Sequence, residues 1–343
     1  MFLLYYDIHT LFPVVHISGY NFEYGGDAGV TFFFVLSGFV ISCGYGDRVC
    51  GSYFKWSSFM RKRIVKLYPL HLLTFFVALL MGFVVGIKFS AVKTVLHMLM
   101  LQEFTLSANL LNYGTGLSWF LGALIFCYAL FPMLYKCIMF YSRWCIGGIA
   151  VLYFILYVTI VAHCNNSAID NYVYAFPPFR IIDFFIGIIV FRLYSLSAST
   201  NIMRRISLLP HSVLTVCDVL VVVLCISTWL VYPSMPSWFR FSMLFWVPFG
   251  LLIYWFAVSD GSSRCLQRVM RCRVLVALGG ISFEIYMIHG IIITLCVFGW
   301  GCIFGYDTVP NGVHFAFCFA VSVVMAKLYS VATIKMREVS LHK

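Results

Sequence analysis

Long apolar segments follow one another along almost the whole chain, with short polar stretches between them. A helix needs about 20 mainly apolar residues to cross the roughly 30 Å hydrocarbon core of a bilayer. Ten segments meet this condition, so the sequence predicts ten membrane-spanning helices. They are predicted at 2–20, 28–45, 69–88, 117–139, 146–162, 179–195, 212–231, 239–258, 281–300 and 312–333.

The segment 90–106 is apolar but shorter than a full crossing. It also carries several polar side chains, namely Lys93, His97, Gln102 and Glu103. Non-spanning helices of this kind lie at the membrane surface or enter and leave on one side. The pattern therefore predicts an interfacial or re-entrant helix.

Composition sets the class of protein. The chain of 343 residues is 62% hydrophobic and 10% charged, and its mean hydropathy is +0.96. Soluble domains are about 45–50% apolar and ~25% charged. We therefore expect an all-α, polytopic transmembrane helical bundle that forms a single integral membrane domain over residues 1–343.

The Lys and Arg residues concentrate in alternate loops, for example 46–68 and 259–278. Cytoplasmic loops of membrane proteins carry this excess of positive charge. With ten spans, both termini are then predicted to be cytoplasmic. The net charge of +11 reflects this topology rather than nucleic-acid binding, because no soluble basic face exists to hold a duplex.

The thirteen cysteines form no C-x-x-C pair and no cluster with histidine at zinc spacing. They are typical of small buried hydrophobic residues, and no metal site is predicted. The first predicted span lacks a basic leader and a small-residue cleavage site, so no cleavable signal peptide is expected.

His16 lies near the outer end of the first predicted span. An imidazole with a pKa of about 6.5 can accept a proton from a hydroxyl and return one to a leaving group. His16 is therefore a candidate general base. The alternative is an interfacial histidine that hydrogen-bonds to neighbouring backbone.

A basic block precedes the third predicted span and contains Lys62, Arg63 and Lys66. Spacings of three and four residues place side chains on one helical face. There they could bind the phosphates of a donor such as coenzyme A. Membrane topology alone would also place cations at this position.

Two other spans carry ionisable residues, which are costly inside a membrane. Arg180 and Asp183 are three residues apart, so a helical ion pair is expected at the outer mouth of the sixth span. Glu284 and His289 lie in the ninth span, five residues apart, and do not closely share a face. Either residue could simply line a polar cavity.

Several of these segments, in this order, resemble integral membrane acyltransferase family 3. The resemblance covers roughly residues 5–335. Its motifs are His16, Gly29-Val30 with Phe32 to Phe39, Lys62-Arg63 with Lys66 to Pro69, Trp119-Phe120-Leu121 with Pro132, Arg180-x-x-Asp183-Phe184 with Gly187, and Ile281-Ser282-Phe283 with Tyr286 and His289. The chain departs from the family pattern at Tyr5, where a basic residue is common, and at Ala123 and Leu124, where a glutamate is often found.

The resemblance implies an O-acyltransferase that moves an acyl group, usually acetyl, from coenzyme A to an exported or cell-surface glycan. It implies acetyl-CoA or another acyl-CoA as donor substrate, no tightly bound cofactor, and a glycan or lipid-linked sugar as acceptor. Membrane lipid would surround the protein, and a bacterial inner (plasma) membrane is the expected location.

The resemblance also implies roles for individual residues. Lys62, Arg63 and Lys66 would bind the donor phosphates, and His16 would act as general base or carry the acyl group transiently. Arg180 would stabilise the oxyanion or hold the acceptor. The remaining candidates are Trp119, which would stack on a sugar ring or serve structure alone, and Tyr286 and His289, which would orient the acyl chain or complete the cavity.

A flippase or exporter of lipid-linked sugars is the alternative function, since it too needs about ten spans, inward polar residues and basic cytoplasmic loops. Only a transferase would depend on the chemistry of His16. A purely structural membrane subunit gives no account of the ordered polar motifs.

Overall fold

The computed structural model describes residues 25–105, 113, 116–141, 143–163, 174–259, 264–304 and 311–341. These residues form helices and connecting turns, and no strand occurs among them. The prediction of an all-α fold is confirmed.

The helices are, in chain order, α1 (Gly25–Cys50), α2 (Trp56–Val84), α3 (Ala91–Met98), α4 (Ser118–Phe140), α5 (Arg143–His163), α6 (Pro177–Ser199), α7 (Ile202–Ser207), α8 (His211–Val231), α9 (Ser237–Arg240), α10 (Met243–Val258), α11 (Cys265–Met270), α12 (Arg273–Gly280), α13 (Ser282–Phe304) and α14 (Asn311–Leu341). Short 3-10 turns form at Gln102–Phe104 and Tyr232–Ser234.

In the described part of the chain, eight helices contain apolar stretches long enough to cross a membrane. They are α1, α2, α4, α6, α8, α13, α14 and the α9–α10 unit. Each overlaps one predicted span. The predicted span 146–162 falls on α5, whose apolar stretch Val151–Ala162 is shorter, and the predicted span 2–20 lies outside the described residues. The cytoplasmic position of both termini stays a prediction.

Helix α2 begins well before the apolar segment that predicted it. The third span was expected from residue 69, but the helix starts at Trp56 and runs through Pro69. The basic block therefore lies within the first turns of α2 rather than in a loop.

Within the predicted non-spanning segment 90–106, the described helix is too short to cross a membrane. This helix, α3, has eight residues and is followed by a tight reversal at Met100, which has a left-handed backbone with φ of 54°. This reversal leads into the turn Gln102–Phe104.

The core lies where α1, α4 and α6 pack together, with α10 against α1 and α6. Aromatic side chains fill it: Phe34 contacts Phe120 with ring centroids 5.0 Å apart, and Phe131 meets Phe184 at 6.3 Å. Burial of such large apolar side chains contributes the dominant packing energy. These four helices therefore form the scaffold on which the polar residues are held.

Helices α8 and α14 lie at the periphery. Much of the apolar surface of α8 is exposed, including Val216, Leu220 and Val223. An apolar face of this kind suits contact with lipid hydrocarbon, so these helices form part of the outer wall of the bundle.

Candidate functional site

Arg180 and Asp183 form a buried ion pair on the first turns of α6. Nη1 of Arg180 lies 3.0 Å from Oδ2 of Asp183, and both side chains are fully buried. The expected helical pair at spacing three is confirmed.

Arg180 also joins three separate parts of the chain. Its Nε donates to the carbonyl of Tyr174 at 2.6 Å, and its Nη1 donates to Thr31 Oγ1 at 3.1 Å and to the carbonyl of Phe241 at 2.9 Å. Thr31 belongs to α1, and Phe241 lies just before α10. Within the described part of the chain, Nη2 has no hydrogen-bond partner, so two N–H groups are left for a ligand.

Asp183 accepts further hydrogen bonds from the α10 side of the site. Ser242 Oγ donates to Oδ1, and Trp246 Nε1 donates to the same oxygen at 2.5 Å. A buried carboxylate needs several donors in addition to its cation. These donors come from a segment about 60 residues further along the chain, and sequence spacing gave no signal for them.

An aromatic wall flanks the guanidinium of Arg180. Its Cζ lies 5.0 Å from the ring centroid of Tyr174 and 5.9 Å from that of Trp119, and these two rings are 4.7 Å apart. Cations attract the faces of such rings. Trp119 is largely buried in this arrangement.

Tyr286 and His289 approach the same region from α13. The hydroxyl of Tyr286 donates to the carbonyl of Leu117 at 3.3 Å, and its ring packs on Phe120 at 5.1 Å. Leu117 and Phe120 flank Trp119 in sequence, so Trp119, Arg180 and Tyr286 are brought to one end of the bundle.

The imidazole of His289 is oriented by its own helix. Nδ1 lies 2.6 Å from the carbonyl oxygen of Tyr286. Because a carbonyl only accepts, Nδ1 carries the hydrogen, and Nε2 of the neutral ring keeps its lone pair. His289 is therefore able to accept a proton through Nε2.

The three cations of the basic block do not all point in the same direction. Lys62 and Lys66 are exposed, whereas Arg63 is only partly exposed and turns towards the bundle. The guanidinium Cζ of Arg63 lies 4.7 Å from the ring of Tyr45 and 5.6 Å from that of Tyr128.

A groove of about 410 Å³ lies where α1 ends and α2 begins. Its cationic lining comes from Arg48, Lys55 and Lys62, and aromatic side chains form much of the rest. Lys66 lies outside this lining. In the sequence, Arg48 and Lys55 are simply two of the cations in the loop 46–68, because their approach to Lys62 depends on how α1 and α2 pack.

Two more polar side chains are buried near α4, in the turn Gln102–Phe104. Gln102 and Glu103 are 0% and 1% exposed. Burial raises the pKa of Glu103 to about 9, so its carboxyl is protonated at neutral pH. The sequence indicated polar residues in this segment but not that they point into the protein.

A second buried ion pair joins α8 to the start of α11. Arg264 Nη1 lies 3.1 Å from Asp218 Oδ1, which also accepts from Trp255 Nε1 at 2.7 Å. Arg264 belongs to the predicted basic loop 259–278, yet its side chain is buried. The ion pair and Trp255 together connect α8 to α10 at the end of these helices that is away from Arg180.

His16 lies outside the described residues, and its role as general base stays a prediction. The other candidates fall into two groups. Arg180, Trp119, Tyr286 and His289 lie towards one end of the bundle, and Lys62, Arg63 and Lys66 lie near the start of α2.

A family model described as an acyltransferase domain matches residues 1–330 of the chain. The chain belongs to acyltransferase family 3. It is also similar to "Acyltransferase MdmB" of Streptomyces mycarofaciens, with 25% identity over 293 residues, which are 78% of this chain and 68% of that protein. No solved structure matches the chain. The family and the apolar helices together identify an integral membrane acyltransferase. Membership therefore favours an enzyme over the exporter.

Proposed function

We propose that this acyltransferase moves an acyl group, acetyl by family resemblance, from acyl-CoA to a hydroxyl of an exported or cell-surface polysaccharide, in a bacterial plasma membrane. One observation carries the proposal. Thr31, at the Arg180 cluster, and Arg48, at the basic groove, lie on the same helix α1. Their separation of 17 residues corresponds to about 25 Å at 1.5 Å per residue. This separation is close to the roughly 30 Å thickness of the hydrocarbon core, which supports assigning the two polar regions to opposite faces of a bilayer.

The basic groove is suited to the donor. Lys62, Arg48 and Lys55 supply positive charge for the phosphates of coenzyme A, and Arg can bind a phosphate through two parallel hydrogen bonds. Lys66 lies one turn beyond Lys62 and extends the positive field. Arg63 points inwards and marks the direction in which the pantetheine arm enters the bundle.

The Arg180 cluster is suited to the acceptor and to the developing negative charge. The free Nη2 of Arg180 supplies two donors in a site that excludes water, where such donors stabilise an oxyanion strongly. Trp119 offers a ring face to a sugar, and Tyr286 with His289 completes the wall on the α13 side.

The reaction joins a hydroxyl oxygen to the thioester carbonyl carbon. His16 takes the hydroxyl proton, the carbon–sulphur bond breaks, and the thiolate receives a proton to give free coenzyme A. In the second route, His16 first accepts the acyl group and then passes it to the hydroxyl.

The test compares the wild type with His16→Ala in a host membrane. His211→Ala serves as the matched control, because His211 is exposed at the start of α8 and does not line the basic groove. The measurement is transfer of radiolabelled acetyl from acetyl-CoA to extracted cell-surface glycan. We expect His16→Ala to lose transfer by about 100-fold or more, with His211→Ala unchanged. Equal transfer by His16→Ala would remove His16 from the mechanism and direct attention to His289.

A further inference from the structure

The turn Gln102–Phe104 sends two polar side chains into the protein. The neighbouring residues Leu101 and Phe104 are exposed, whereas Gln102 and Glu103 are almost completely buried. The turn packs against α4, with the ring of Phe104 5.5 Å from that of Phe126. The two polar side chains therefore face α4.

Gln102 is held in one orientation by its amide nitrogen. Nε2 donates to Ser118 Oγ at 3.0 Å, and the same hydroxyl lies 3.3 Å from Nδ1 of His97. Ser118 is the first residue of α4. The amide oxygen Oε1 of Gln102 has no hydrogen-bond partner in the residues that the structure describes.

Neither carboxyl oxygen of Glu103 has a hydrogen-bond partner in another residue, again within the described residues. Its Oε1 lies against Gly122: a Cβ at that position would be 1.5 Å from Oε1. The glycine thus provides the space that the carboxyl occupies. A buried polar group without a partner is unfavourable, and native proteins contain few of them.

These unpartnered oxygens lie beside the proposed acceptor site. Gly122 follows Trp119 by three residues on α4, so the two positions are neighbours on the helix surface. Trp119 in turn lies 5.9 Å from the Cζ of Arg180. The carboxyl of Glu103 thus lies about one helical turn from the ring proposed to stack on a sugar, and Gln102 is hydrogen-bonded to Ser118, the residue before Trp119.

We infer that Gln102 Oε1 and the carbonyl oxygen of the Glu103 carboxyl accept hydrogen bonds from hydroxyl groups of the acceptor sugar while its ring packs on Trp119. This inference rests on the proposed function and names the residues that select the acceptor. Because Glu103 is protonated at neutral pH, the pair suits an uncharged polyol better than a metal ion or an ammonium group. Both residues position the substrate, and neither takes part in proton transfer.

The test uses Glu103→Leu, which replaces the carboxyl with an apolar side chain of similar volume and so removes both oxygens. Glu103→Gln is the conservative variant, since it keeps one acceptor oxygen. Leu101→Ala is the control, because it alters the exposed side of the same turn. Initial rates of acetyl transfer are measured with extracted cell-surface glycan and acetyl-CoA varied in turn.

For Glu103→Leu we expect the apparent KM for glycan to rise tenfold or more, with the KM for acetyl-CoA changed less than twofold. Glu103→Gln should stay within about threefold of the wild type, and Leu101→Ala should match it. An unchanged KM for glycan in Glu103→Leu overturns the inference and leaves the proposed function intact. Equal increases in both KM values indicate a structural role and also overturn it.

A second measurement does not depend on catalysis. Extracted glycan should raise the melting temperature of the detergent-solubilised wild type and of Glu103→Gln, but not that of Glu103→Leu. A wild type that transfers no acetyl yet shows this Glu103-dependent stabilisation would overturn the proposed function and support the sugar site. Stabilisation of Glu103→Leu equal to that of the wild type would overturn the site.

Discussion

Gly38 of α1 and Gly187 of α6 face each other where the two helices cross, and neither position has room for a side chain. A Cβ at Gly38 would lie 2.0 Å from the carbonyl oxygen of Phe184, and one at Gly187 would lie 2.0 Å from that of Val35. Small residues let membrane helices approach closely. This contact brings Thr31 of α1 within reach of Arg180 on α6.

Gly38→Ala is therefore expected to destabilise the protein. The methyl group would collide with backbone, and overpacking of a close contact costs about 1–3 kcal/mol. Gly29→Ala is the matched control on the same helix, because among the described residues nothing lies within 4 Å of a Cβ there. Thermal unfolding in detergent measures both variants. A melting temperature for Gly38→Ala as high as that for Gly29→Ala would contradict the crossing.

Removing one member of the Arg180–Asp183 pair should be more damaging than removing both. A single Arg180→Met leaves the Asp183 carboxylate buried without its cation, at a cost of about 3–5 kcal/mol. The double variant Arg180→Met/Asp183→Leu should be closer to the wild type in unfolding free energy. It should still lose transfer activity, because the oxyanion donors are gone. Chemical denaturation provides the comparison, and additive losses in the double variant would argue against a coupled pair.

Loss of a cation from the basic groove should weaken binding of the donor, acetyl-CoA, and leave binding of the acceptor glycan unchanged. Lys62→Ala removes one phosphate contact, and a hydrogen bond to a charged group contributes about 1.5–3 kcal/mol. The KM for acetyl-CoA should therefore rise about tenfold or more, since 1.4 kcal/mol corresponds to a factor of ten. The KM for glycan should not change. Lys88→Ala is the control, because Lys88 is exposed beyond the other end of α2. A rise in the KM for glycan alone would assign the groove to the acceptor.

Glu103 should make stability depend on pH. Its pKa is raised from an ordinary 4.5 to about 9 in the folded protein, so the folded chain keeps a proton that the unfolded chain releases. The free energy of unfolding then falls as pH rises between about 5 and 9, by up to about 1.4 kcal/mol per pH unit. In Glu103→Gln, this contribution to the pH dependence of the unfolding free energy should be absent. Denaturation midpoints of the two proteins between those pH values test the effect, and parallel curves would contradict it.

Apolar segment length predicted most of the helices correctly, because crossing a bilayer imposes a minimum length on each one. It did not predict where helices begin. Trp56 opens α2 thirteen residues before the predicted span, since a helix can continue beyond the apolar window into basic sequence. Because this extension is helical, the neighbouring residues Lys62 and Arg63 point in different directions: Lys62 faces the groove and Arg63 faces the bundle.

The ion pair between Arg180 and Asp183 was predictable because its spacing is local. Its other partners were not, since Thr31 and Trp246 reach the site only through the packing of α1 and α10 on α6. The same holds for Glu103, whose burial depends on the missing side chain at Gly122. Contacts between distant segments leave no periodic signal in a single sequence.

Asp183 accepts hydrogen bonds from residues near the start of α10, which is made after α6. This dependence affects the order in which the chain is assembled in the membrane. When α6 leaves the ribosome, Thr31 has already been made, but Ser242 and Trp246 follow about 60 residues later. A lone charge within an inserting helix costs about 2.5–3.5 kcal/mol, and Arg180 with Asp183 enters as a neutral pair. Biogenesis of this end of the enzyme is therefore completed only when α10 arrives. A nascent chain that stops before Trp246 would present its half-satisfied aspartate to membrane quality control.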